Sequence, residues 1–172
     1  MPNSTDNVSS ADNQQERLKM IGWIVGFVDG EGCFSVSVFK NRTTRSKFQV
    51  FPEFVITQGQ KSLASLEEIK SFFRCGGIYV NRRHDNHKEN IYRYCVRSLK
   101  DLNEIIIPFF KENQLKTYKS NDFQSFCKAV EMMLNHQHLS EEGLEFIRNL
   151  KNPQRLIRQT PVATGEDRVR TI

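Results

Sequence analysis

The residues with the clearest chemical potential are a carboxylate and the glycines in front of it. The glycines are Gly22, Gly26 and Gly30, and Glu31 follows the last of them. On a helix, a spacing of four residues places the glycines on one smooth stripe, which allows a second backbone to come very close. If that partner is a second copy of the segment, a two-fold axis beside the stripe brings two Glu31 carboxylates together. Paired hard oxygen ligands of this kind suit Mg²⁺.

The glycine stripe needs a physical reason, because each glycine costs a helix roughly 1 kcal/mol relative to alanine. Close contact between two helices is the obvious gain, and we therefore predict that Gly22, Gly26 and Gly30 form a dimer interface. A membrane helix would also use such a stripe. However, the apolar run over residues 21–28 is far shorter than the ~20 residues of a membrane span, and acids follow it at once.

The elements that position this segment follow from hydrophobic periodicity. We expect residues 1–15 to be a disordered segment, residues 16–151 one domain, and residues 152–172 a flexible basic tail. The predicted order is helix 15–30, strands 33–40 and 47–57, helix 61–73, strands 78–83 and 91–97, helix 99–110 interrupted or kinked by Pro108, and helices 121–134 and 140–150. This order predicts an α+β fold, αββαββα with a four-stranded antiparallel sheet and extra C-terminal helices.

One face of the predicted sheet is polar and basic. Two antiparallel strands fit the major groove of B-DNA, where Arg, Lys, Asn and Gln read bases. As an alternative, a polar sheet face is simply solvated. The candidate DNA-binding residues are Ser35, Ser37, Asn41, Lys47, Gln49, Glu53 and Thr57 from the first hairpin and Asn81, Arg83, Arg93 and Arg97 from the second, with Arg82 and Lys88 nearby for phosphates.

Composition agrees with a nucleic-acid partner. The formal charge is +5 and the sequence pI is about 9.1, which favours a polyanion. The four cysteines have no CxxC spacing and are expected to be reduced thiols of an intracellular protein without a secretory signal. Two histidine pairs, His84 with His87 and His136 with His138, have no acid or cysteine at metal-ligand spacing, and a polar loop and a helix end explain them.

Residues 24–32, Ile-Val-Gly-Phe-Val-Asp-Gly-Glu-Gly, resemble the signature of the LAGLIDADG homing endonucleases without a gap. The substitutions are mild, and the family accepts either acid at the position of Glu31. The element order also resembles that of the family over residues 21–134. Members with one motif per chain act as homodimers, and only one motif occurs here.

The resemblance also implies roles for individual residues. Glu31, with the backbone carbonyl of Gly30, would hold Mg²⁺ or another divalent cation such as Mn²⁺. Gln58 matches a position that organises water, and Lys116 matches a basic residue that stabilises charge on the phosphate, with Lys119 as the second choice. Asp29, the first acid of the motif, is expected to bond neighbouring groups at the helix end and not to hold metal.

The function implied by the resemblance is site-specific cleavage of both strands of DNA at a long pseudo-palindromic target, in the cytoplasm or an organelle matrix where that DNA lies. The alternatives are a maturase-like splicing factor that binds intron RNA and a DNA-binding regulator that no longer cleaves. Regulators of this lineage can lose the catalytic acid, and Glu31 is retained. A generic helical dimerisation domain explains the glycines but neither Glu31 nor the basic strands.

Overall fold

The computed structural model describes residues 5–44, 47–81 and 90–150, with side chains described from residue 12 onward except at residue 81. The predicted α+β order is confirmed. The elements are α1 (Thr5–Glu31), β1 (Gly32–Lys40), β2 (Phe48–Gly59), α2 (Leu63–Phe73), β3 (Gly77–Asn81), β4 (Ile91–Val96), α3 (Leu99–Asp101), α4 (Ile107–Glu112), α5 (Lys119–Leu134) and α6 (Glu141–Leu150).

The four strands form one antiparallel sheet in the order β1-β2-β4-β3. Alternation along β1 and β2 puts Phe34 opposite Phe54 on the core side, whereas Ser35 lies opposite Glu53 on the other side. The side chains of Phe34, Phe54 and Tyr94 are buried under the helices. The Phe34 ring centroid lies 5.0 Å from Phe54 and 5.3 Å from Phe110. We call the side of the sheet that bears Ser35 and Glu53 the open face.

Helix α1 begins at Thr5, so the expectation that residues 1–15 are disordered is wrong for residues 5–15. Adding a residue to an existing helix is much less costly than nucleating a new one. The buried turn that contains Ile24 and Val28 anchors the helix in the core. The polar residues before it continue a helix that is already nucleated.

The end of α1 is set by a close approach. A Cβ atom at Gly32 would lie 2.6 Å from Val28 Cγ1 and 2.8 Å from the Val28 carbonyl oxygen. Only glycine therefore allows the chain to turn directly from α1 into β1. This turn positions Glu31, the last residue of the helix, at the edge of the sheet.

The interruption predicted at Pro108 is confirmed. A π-helical turn over Leu102–Ile106 separates α3 from α4, and Pro108 lies in the first turn of α4. Proline has no N–H donor and cannot continue a regular helical hydrogen-bond ladder. The wider turn absorbs this defect and keeps Ile106 and Phe110 in the core.

Candidate active site at the end of helix α1

Asp29 anchors the end of α1 to the loop that precedes α5. Its carboxylate accepts hydrogen bonds from the backbone N–H of Lys116 (2.7 Å), from the backbone N–H of Thr117 (3.1 Å) and from the Thr117 hydroxyl (2.6 Å). Burial acts to raise the pKa of Asp29, but these bonds outweigh it and, with the charge of Lys119, lower the pKa below its ordinary value. The expectation that Asp29 bonds neighbouring groups is confirmed.

Lys119 brings a positive charge to the same end of the helix. Its ammonium donates to the carbonyl oxygen of Gly30 (3.3 Å) and to that of Gly32. Lys116, in contrast, contributes its backbone N–H to Asp29. The ammonium beside the motif is therefore that of Lys119, which the sequence placed second. The conformation of the loop before α5 decides which lysine reaches the motif, and the periodicity of the sequence does not predict that conformation.

Glu31 is exposed at the end of α1. In the part of the chain that the structure describes, its carboxylate takes part in no hydrogen bond or ion pair. The fold thus leaves an acid without a described partner directly after Gly30, whose carbonyl accepts from Lys119. Such a group is available to a ligand without breaking any contact among the described residues.

Gln58 lies close to this end of the helix through the sheet register. Gly32, which follows Glu31, pairs with Ile56, and Gln58 is two residues further along β2. Its side chain is half-buried. Among the described residues, no hydrogen bond joins Gln58 to Glu31, and the catalytic role of Gln58 stays a prediction.

The glycine stripe lies on the side of α1 that faces away from the core. Ile24 and Val28 are fully buried, and Gly22 and Gly26 stand two positions before them, about 200° around the helix. A Cβ atom at Gly22, Gly26 or Gly30 would meet nothing within 4 Å. Within one chain, the stripe is therefore open to a second backbone.

The open face carries most of the predicted DNA-binding residues. Gln49, Lys47 and Thr57 are exposed, and Ser35, Ser37 and Asn41 are half-buried. The amide of Asn41 donates to the side-chain oxygen of Gln49 (3.0 Å). These polar groups lie on β1, on β2 and in the turn between them.

Glu53 differs from the prediction. It was expected as a solvated, DNA-facing residue, but only 8% of its surface is exposed, and it binds Arg93 (3.0 Å) and Arg97 (2.6 Å). Alternation predicts the face on which a side chain lies. It cannot show that two long side chains from β4 and the residue after it cover that position.

Several predicted residues cannot be placed. Arg82, Arg83, Lys88, His84 and His87 lie outside the described residues, as do residues 152–172. Asn81 ends β3 opposite Ile91, but its side chain is also outside the described set.

The donors at the end of α1 fit part of a magnesium site. No group of three or more His, Cys, Asp or Glu residues gathers anywhere in the described ranges. The Glu31 carboxylate and the Gly30 carbonyl are hard oxygen donors, and the Lys119 ammonium already lies at that carbonyl. One chain thus offers a single acid and a carbonyl that already accepts from an ammonium, which is too little to enclose a metal ion.

Comparisons with known proteins define the class. Residues 24–130 match the model of the LAGLIDADG endonuclease family, and the chain belongs to this family. A probable intron-encoded endonuclease 2 from Neurospora crassa is 33% identical over 132 residues, which are 76% of this chain and 26% of that protein. The homing endonuclease I-ApeII from Aeropyrum pernix is 31% identical over 109 residues, 63% of this chain and 61% of that protein. The chain thus spans about a quarter of the length of the Neurospora protein.

Solved structures agree with the fold. The homing endonuclease I-TnaI is 38% identical with a TM-score of 0.67, and the match covers 80% of this chain and 93% of that one. The LAGLIDADG homing endonuclease I-LtrWI, solved bound to target DNA, is 32% identical with a TM-score of 0.71, and the match covers 77% of this chain and 43% of that one. In addition, none of the helices described here has the length and apolar character needed to traverse a bilayer.

Proposed function

We propose that this chain is a homing endonuclease, which as a homodimer cuts both strands of DNA at a long pseudo-palindromic target with the help of a divalent metal. The observation that carries the proposal is the Glu31 carboxylate, which the fold leaves free at the end of a helix with an open glycine stripe. The DNA-bound structure of I-LtrWI supports DNA as the partner. The protein acts inside the cell wherever its target lies.

The dimer completes the site. Two copies packed along Gly22, Gly26 and Gly30 bring two Glu31 carboxylates to one end of the interface, which supplies the acids that one chain lacks. Each copy then acts on one DNA strand.

The residues at the end of α1 would divide the work. Glu31 and the Gly30 carbonyl would hold Mg²⁺ or Mn²⁺, which when bound lowers the pKa of a water molecule and offsets charge on the leaving oxygen. Lys119, rather than Lys116, offers a positive charge that stabilises the charge growing on the phosphate. Asp29 positions Lys119 by fixing the loop before α5, and Gln58 orients water with its amide.

The open face would bind the DNA. Gln49, Ser37 and Thr57 present hydrogen-bonding groups at the level of the strands, and Lys47 adds a charge next to the hairpin turn. Side chains of this kind read base edges and hold phosphates. The free Glu31 carboxylate favours cleavage over a non-cleaving regulator or an RNA splicing factor.

The test is selection of cleaved sites from a randomised DNA library, with Mg²⁺ and with EDTA. We expect a single pseudo-palindromic consensus with Mg²⁺ and no cut products with EDTA. Binding of a consensus site without cleavage would support the regulator. Binding of intron RNA with no selected DNA sequence would support the maturase-like protein. Either result would overturn the proposal.

A further inference from the structure

A buried acid lies in the centre of the open face. Glu53 uses both of its carboxylate oxygens: Oε2 accepts from an Nη of Arg93 (3.0 Å), and Oε1 accepts from Nε of Arg97 (2.6 Å). Glu53 is the only charged side chain that is buried among the described residues. A carboxylate out of water is stable only when it is paired and hydrogen-bonded, and here two guanidinium groups meet that need.

The two arginines remain open to a ligand. Their side chains are 37% and 40% exposed, whereas the side chain of Glu53 is 10% exposed. Each guanidinium uses one of its five N–H donors on Glu53, so that most donors of Arg93 and Arg97 are left over. With two positive charges and one negative charge, the group keeps a net positive charge for an anionic polymer.

Aromatic rings restrict Arg97 further. Its guanidinium carbon lies 5.6 Å from the centroid of the Phe51 ring and 5.1 Å from that of Tyr79. Hydrogen bonding to Glu53 raises the pKa of Arg97 above its ordinary value, so the charge is permanent. A side chain held by an acid and two rings loses little further freedom when it binds.

Glu53 also changes the spacing of the two guanidiniums. Arg93 and Arg97 are four residues apart, which is about 13 Å along an extended strand. Because both groups bind one carboxylate, they converge to a few ångströms instead. Adjacent base pairs in B-DNA are about 3.4 Å apart, and the converged pair therefore matches neighbouring base pairs.

We propose that Glu53 is a positioning residue that holds Arg93 and Arg97 as a fixed pair of donors, and that this pair sets a preference for guanine at two adjacent positions in each half-site. Arginine makes two parallel hydrogen bonds to O6 and N7 of guanine in the major groove. The inference rests on the proposed function, since it names the bases that the open face reads.

The test is a binding selection from a randomised DNA library, which needs no cleavage, with wild type and the Glu53→Gln variant. Gln keeps the size of the side chain but frees the two arginines. We expect guanine preference at two adjacent positions of each half-site to fall about 10-fold. Binding to unrelated DNA should strengthen, and its salt dependence should steepen by up to about one unit of slope per chain. A merely structural role would weaken all binding instead.

Glu104→Gln is the matched control, because it removes the same negative charge at an exposed residue, which among the described residues pairs with Lys100 on the helical side. It should leave base preference unchanged. If Glu53→Gln does not fold, Arg97→Lys carries the test. Lysine keeps the positive charge but lacks the planar pair of donors of a guanidinium. Guanine preference should therefore relax at one position, and the salt dependence of binding should not change.

A Glu53→Gln variant that binds every sequence more weakly would overturn the inference, and two further results would do so too. One is a folded Glu53→Gln or Arg97→Lys variant that keeps the wild-type preference at every position. The other is a wild-type protein that enriches no DNA sequence, which would contradict the proposed function as well. The two failures are distinguishable, because only the second is seen with the wild type.

Discussion

The end of helix α1 and the centre of the open face each carry a glutamate, and the fold treats the two acids in opposite ways. Glu31 is exposed and bound to no described group, whereas Glu53 is buried and binds two arginines. An acid whose oxygens are all engaged can only position other groups. An acid that no described group binds keeps its charge for a ligand, so under the proposed function Glu31 would serve cleavage and Glu53 would serve recognition.

Asp29 shows that an acid at the end of α1 is not free merely because it lies there. It lies two residues before Glu31, yet it resembles Glu53, because its oxygens are bound by Lys116 and Thr117. The motif thus places a structural acid, Asp29, two residues before a free acid, Glu31. The following predictions test whether the engaged and the free groups really differ in their roles.

Among changes to the basic residues near the motif, the largest effect is expected from Lys119→Met. Loss of the ammonium beside Gly30 should lower the cleavage rate by about 100- to 1,000-fold, since a positioned charge near the phosphate stabilises the transition state. Single-turnover cleavage of the selected site measures it. Lys116→Met is the comparison, because Lys116 contributes to Asp29 through its backbone, and its loss should be far smaller. If Lys116→Met lowered the cleavage rate more than Lys119→Met, Lys116 and not Lys119 would be the residue that stabilises charge on the phosphate.

The dimer should be broken by Gly26→Leu. Within one chain the new side chain has open space, so the monomer should fold. Against a second α1 it would overpack an interface of backbones, at a cost of about 1–3 kcal/mol or more. Sedimentation velocity should show the monomer mass, and cleavage should be lost while Glu31 is untouched. Lys70→Leu, at an exposed residue of α2, is the control. An unchanged dimer would show that the stripe is not the interface.

A smaller effect is expected from acid titration of Asp29. Because its folded pKa is lowered, the stabilisation is fully present above the ordinary pKa of an aspartate and is lost as the pH falls through the lower, folded value. Asp29→Asn should cost about 1–2 kcal/mol at pH 7 and much less in strong acid. Urea unfolding from pH 7 down to pH 2 measures it. A cost that does not change with pH would refute the role of the charge.

The regular part of the fold could be predicted from periodicity. Alternation in β1 and β2 identified Phe34 and Phe54 as core residues, and the apolar spacing of the helices located α2, α5 and α6. Pro108 marked the interruption between α3 and α4. These features depend on local sequence, and neighbours in space do not change them.

The predictions that differ from the structure concern contacts between residues that are distant in sequence. Glu53 is buried by arginines 40 and 44 residues away, and Lys119 reaches Gly30 across 89 residues. The start of α1 at Thr5 depends on a nucleus in the buried half of the helix. Side-chain pairing and helix propagation of this kind leave no periodic signal.

The most direct test of the account is Glu31→Gln, assayed on the same protein sample for binding and cleavage of the selected site. The free acid makes no described contact in the fold, so the variant should unfold like the wild type. We expect it to bind the site with an unchanged Kd and to leave both strands intact with Mg²⁺. Cleavage at the wild-type rate would contradict the claim that Glu31 is the catalytic acid.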